Sequence, residues 1–217
     1  MSSTLTRLKA LREIQGTTGP NYCLGSSKFF IGKLIGLFDQ SKKWNDFMRS
    51  PWAIKNRGRV NLDAAWGLFR GAKDFNSKVL PAAIGDASAN VKGPGTHLGT
   101  NVEFHHFTGS PSLADTLLLG RVPLVIGVDL PGGYSRDHFI SILRDGAYNI
   151  WAVDSWEAND IYAVAQLPSD FSFTKPVKVT LNASGADDYT TIPCPTPWIG
   201  YYRDKTSKAA LGIRNVI

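Results

Sequence analysis

The hydrophobic period of the chain changes near Pro123, and no other feature of the sequence restricts the fold as much. After that proline come three short runs rich in β-branched and apolar residues, at 124–128, 139–143 and 150–153. Pro131-Gly132-Gly133 and Arg144-Asp145-Gly146 separate them with turn residues, so the runs are expected to form successive antiparallel strands. Segments 177–181 and 198–202 read as two more. Before Pro123 the spacing is mainly that of helices and loops. Residues 4–14 carry Leu5, Leu8, Leu11 and Ile14 at helical intervals, and Gly16, Gly19 and Pro20 end that stretch. A second helix is expected from Cys23 to about Phe38, apolar enough to be central, with Gly32 and Gly36 on one face where another backbone can approach. Further helices are expected at 62–70 and 112–119, with a long Gly-, Ala-, Asn- and Ser-rich loop at 82–100. Helices first and antiparallel strands second is an α+β arrangement. With 217 residues it is expected to close around one core, as a single domain over 1–217.

Composition narrows the function classes. Apolar residues make up 43% and charged residues 19%, which excludes a disordered chain. The net charge of +6 gives a general affinity for polyanions, but the basic residues are thinly spread and form no zinc finger, basic zipper or aromatic-basic RNA platform, so no specific nucleic-acid partner is expected. The most apolar segment, 29–38, is interrupted by Lys33 and is too short to span a bilayer, so no membrane insertion is expected. The first residues lack the apolar run and small-residue cleavage site of a classical signal peptide, so a cytoplasmic origin is expected, with any export left to a specialised system. Two cysteines, Cys23 and Cys194, are too few for a disulfide framework or a structural zinc site.

Cys23 is the candidate nucleophile. It opens the apolar helix after a Gly/Pro break, where free backbone N–H groups and the positive end of the helix dipole favour a thiolate. The same N–H groups suit the oxyanion of a tetrahedral intermediate. On position alone, a cysteine there is more often a small packing residue. His138 changes the balance, because it stands at the start of an apolar strand behind a Gly-rich loop and has the pKa of a general base. Asp154 closes the next strand. An antiparallel hairpin returns the end of its second strand to the start of its first, so Asp154 is expected beside His138, able to orient the imidazole. Cys194 is the weaker candidate, since Pro193 and Pro195 prevent a helix from starting there. His105 and His106, with Glu103, lack metal-site spacing and point to opposite faces of a strand; packing or cleft lining suits them better, and no metal is expected.

The run 117–126 (Leu-Leu-Leu-Gly-Arg-Val-Pro-Leu-Val-Ile), the run 137–142 opened by Asp-His, and the run 150–156 closed by Asp-Ser-Trp follow a helix that begins with cysteine. In order and spacing this pattern resembles the papain-like cysteine peptidases and amidases, especially their bacteriocin-processing-type and bacterial cell-wall amidase branches. The resemblance covers roughly a third of the chain. It implies a papain-like fold and a triad of Cys23, His138 and Asp154 that cleaves an amide bond without a cofactor. Such enzymes commonly carry an oxyanion-hole glutamine shortly before the nucleophile. Thr17 stands at that place, leaving Gln15 and Asn21 as candidate amide donors, with Trp156 as a candidate substrate wall. Similarity to secreted bacterial amidase effectors implies peptidoglycan stem peptides as substrate, a cognate immunity or inhibitor protein as partner, and action in a target cell or periplasm. A cysteine protease acting on proteins and a non-catalytic papain-like binding domain are the competing expectations.

Overall fold

The computed structural model describes residues 3–13, 23–37, 40–41, 43–44, 102–108, 120–130, 134–155, 164–171, 177–179, 190–192, 198–204 and 206–214. The expected helices at 62–70 and 112–119 and the loop at 82–100 lie outside them. Among the described residues two helices, α1 (Ser3–Leu11) and α2 (Cys23–Leu34), precede eight strands. These are β1 (Val102–Thr108), β2 (Leu124–Leu130), β3 (Tyr134–Arg144), β4 (Ile150–Val153), β5 (Val164–Gln166), β6 (Val177–Val179), β7 (Thr190–Ile192) and β8 (Trp198–Asp204). The class is α+β.

The sheet runs β1-β8-β2-β3-β4-β5, with β6 paired to β7 and β7 to β2, and every pairing is antiparallel. The central β2-β3-β4 succession is the one expected from the turn residues. Alternation splits its buried side chains between two faces. Leu124, Ile126, Ile140, Ile142, Ile150, Ala152, Ile199 and Tyr201 form one core cluster with Val122, Leu167 and Phe171. The residues between them, including Val125, Phe139, Ser141, Leu143, Trp151, Val153 and Tyr202, are buried as well. On that side α2 is tied down by hydroxyls: Ser27 donates to the Phe139 carbonyl, Ser141 to the Ser27 carbonyl, and Tyr202 to the Lys28 carbonyl.

The described side chains of helix α2 are buried, from Phe29 and Phe30 to Lys28 and Lys33, as those of a central helix must be. Its two glycines and aromatic residues are poor helix formers, so tertiary packing holds it. It is shorter than the span to Phe38 expected from its apolar positions. Gly36 adopts φ 79°, Gly36 N–H bonds the Lys33 carbonyl, and Leu37 N–H reaches back to the Gly32 carbonyl. That pair of bonds is a Schellman cap, which ends the helix at the glycine despite the apolar residues beyond it. Gly36 therefore terminates α2 and does not extend a close-packing face. The N–H of Arg214, from the C-terminal segment, occupies the Leu34 carbonyl at the same end.

Strand β3 also differs from expectation. It starts at Tyr134, so His138 lies inside the strand and does not open it. Polar residues 134–137 hid this extension, because they carry no apolar alternation yet pair onward to Leu130↔Tyr134. In the β3–β4 turn the left-handed residue is Tyr148 (φ 66°), not Gly146. Asp145 makes this tolerable by accepting from Ala147 N–H, Asn149 N–H and Trp151 Nε1.

Candidate active site

Cys23 is the first residue of α2 and a free thiol, so its own N–H is among those left without an intrahelical acceptor. His138 pairs with Val128 on β2, next to a register shift between Val128 and Leu130. Such a bulge bends the strand and re-aims the side chains beside it. Asp154 follows β4 directly. With Val153 opposite Ser141 on β3, continuing the ladder puts Asp154 level with Ile140 and diagonal to His138, within reach across neighbouring strands.

The contact is made. His138 Nε2 and Asp154 Oδ1 are 2.8 Å apart, and the ring and carboxylate are fully enclosed, at 1% and 0% exposure. Cys23 is 4% exposed and is the second hydrogen-bonding partner of the imidazole. Burial works against an imidazolium here. The Asp154 charge and hydrogen bond, followed by those of Cys23, outweigh it and hold the His138 pKa well above the ordinary imidazole range. The arrangement can keep an imidazolium beside the Cys23 sulfur, with a carboxylate fixing the ring.

Three further residues brace this junction. Arg12, just after α1, donates from Nε to the backbone carbonyl of Asp154. Ser26, one turn beyond Cys23, bonds both the Cys23 carbonyl (3.2 Å) and the Ser155 hydroxyl (2.7 Å). The sequence offered a signal for the serines only, as polar residues inside an apolar helix and directly after the triad acid; nothing in it marked Arg12. Of the other candidates, Gln15, Asn21, Trp156 and Cys194 lie outside the described residues. His105 stacks edge-on against Tyr201 of the core cluster, with ring centroids 5.4 Å apart. No group of three or more His, Cys, Asp or Glu side chains among the described residues is placed to hold a metal ion. No helix among them is long and apolar enough to cross a membrane.

Gly25, two residues after Cys23, is pressed by Trp44: a Cβ at this position would lie 2.6 Å from Trp44 Cη2. Trp44 is itself pinned, buried at 2% with its N–H on Glu13 Oε2. Gly25→Ala gains about 1 kcal/mol of helix propensity. It is nonetheless expected to destabilise, since overpacking of this kind costs about 1–3 kcal/mol. Chemical denaturation of Gly25→Ala, Trp44→Leu and the double variant checks this, with Trp44→Leu expected to be less harmful in the alanine background than alone.

Comparison of the chain with protein-family models, with curated proteins and with solved structures finds no match to any of them.

Proposed function

We propose that the chain is a papain-like cysteine hydrolase that cleaves amide bonds. The observation that carries this reading is the buried His138 ring, bonded through Nε2 to Asp154 and with Cys23, at a helix N-terminus, as another side-chain partner. In the reaction the Cys23 thiolate attacks the carbonyl carbon, and His138 gives its proton to the departing amine. Water then attacks the thioester with His138 as base, releasing the acid and restoring the thiol. The backbone N–H of Cys23 is the protein's own donor for the oxyanion. These steps call for no metal or organic cofactor.

For the substrate we propose peptidoglycan stem peptides, with the chain acting as a bacterial effector amidase carried by a specialised secretion system and held in check by a cognate immunity protein. The order of motifs and the basic charge, which favours anionic cell-wall polymers, support this choice. Purified sacculi and a panel of folded and unfolded proteins, each incubated with wild type and Cys23→Ala, test it. Soluble muropeptide fragments from sacculi alone, absent with Cys23→Ala, are expected. Cleavage of proteins but not sacculi would make the chain a protease. If nothing is cleaved and the wild type shows no thiolate at mildly acidic pH, a binding role for the fold replaces the catalytic one.

A further inference from the structure

We propose that Ser26 and Ser155 are positioning residues, a hydroxyl bridge that sets the distance between the nucleophile's helix and the strand end that carries Asp154. The inference rests on the reading of Cys23, His138 and Asp154 as a catalytic triad. Cys23 and Asp154 belong to elements far apart in sequence, and His138 must reach both at once. The backbone ladder fixes His138 relative to Asp154, because β3 and β4 are paired strands. No such ladder fixes α2. Ser27, Ser141 and Tyr202 tie α2 to β3 and β8, and Ser26 adds a tie one turn from Cys23 to the residue directly after Asp154.

The chemistry of the pair is consistent in detail. Each hydroxyl has one proton. The Ser26 hydroxyl is within donating distance of both the Cys23 carbonyl three residues back and the Ser155 hydroxyl, so one short chain links the residue after Asp154 to the nucleophile's own backbone. Both serines are buried, at 0% and 4% exposure. Two alanines would fill nearly the same space, and alanine at 26 favours the helix. The pair is therefore not needed to fill the core. Its distinctive property is direction and length, to which reactivity responds steeply: a misplacement of about 1 Å can cost about 100-fold.

Stability and reactivity should separate. Ser26→Ala and Ser155→Ala each remove one side of the bridge, and the double variant, which removes both, is expected to lose less stability than the two single losses added together. The fraction of Cys23 present as thiolate is read from ultraviolet absorbance across pH, with Cys23→Ser subtracting the contribution of Cys194. The ionisable groups at this junction are Cys23 of α2, His138 of β3, Asp154 after β4 and Arg12 after α1. The serines add no charge to this set, so their loss acts through distance. At pH 6 the thiolate fraction is expected to fall about tenfold in both single variants and to stay low in the double variant, consistent with a loosened nucleophile–base contact. A double variant with the wild-type thiolate profile overturns the proposal. Should Ser155→Ala not fold, Ser26→Ala alone decides by the same profile. A wild-type protein with no thiolate at pH 6, unchanged by His138→Ala, would overturn the triad itself and the bridge with it.

Discussion

Cys23→Ala is expected to abolish amide hydrolysis, and His138→Ala to lower it about 10⁴-fold, with the double variant no worse than Cys23→Ala, because the members of such a triad act as a unit. Hydrolysis of whichever amide substrate the wild type cleaves measures all three, and a Cys23→Ala protein that hydrolyses at the wild-type rate excludes Cys23 as nucleophile. Asp154→Asn gives the more discriminating result. The Asp154 charge is the largest influence holding the His138 pKa up against burial, so its removal lowers the pH at which the imidazolium loses its proton. The alkaline limb of the rate profile should therefore move toward lower pH. Stability follows the same sign. A folded-state pKa above the unfolded value of about 6.5 contributes stability fully present below that pH and lost as pH rises through the folded value. In Asp154→Asn that alkaline decline should flatten, which denaturation at a series of pH values will show.

The second large effect lies behind the site. Lys33 of α2 and Glu13, just past α1, form an ion pair with both side chains almost wholly buried. Glu13 also accepts the backbone N–H of Trp44 at 2.7 Å. Lys33→Met keeps the length of the side chain but leaves a buried carboxylate without its cation, and is expected to cost about 3–5 kcal/mol. Glu13→Gln added to Lys33→Met removes the stranded charge while keeping an oxygen for Trp44. The double variant should recover most of the loss, and urea denaturation midpoints give the comparison. Equal stability of the two variants would mean that the carboxylate finds other compensation. The ammonium has its own pH signature. Desolvation lowers the Lys33 pKa and exceeds the opposing help from Glu13. In the window below about 10.4 the unfolded chain then binds more protons, and stability rises with pH there.

The sequence made the middle of the sheet legible because β2, β3 and β4 are local: each pairs with its neighbour across a turn marked by Gly, Pro or Asp. Their limits near 124–128, 139–143 and 150–153 follow from apolar runs, and the hairpin argument placed Asp154 beside His138 within that register. What stayed hidden was non-local or polar. Strand β1 carries polar residues and pairs with β8, about a hundred positions away, a partnership no local period encodes. The extension of β3 through Tyr134 depends on β2 and a bulge. The early end of α2 depends on one glycine's φ, which apolar spacing overrode. Arg12 reaches Asp154 across 142 positions, so its role could be found only in three dimensions.

The strand order carries a consequence for the timing of synthesis. Strand β8 is the last in sequence of the described strands, yet it sits between β1 and β2 in the interior of the sheet. A growing chain on the ribosome already contains Cys23, His138 and Asp154 while the slot beside β2 is still vacant. Closing that slot is a long-range event, and such pairings are the slow ones in folding. The junction of Cys23, His138 and Asp154 therefore gains its flanking strand only after translation has passed residue 204.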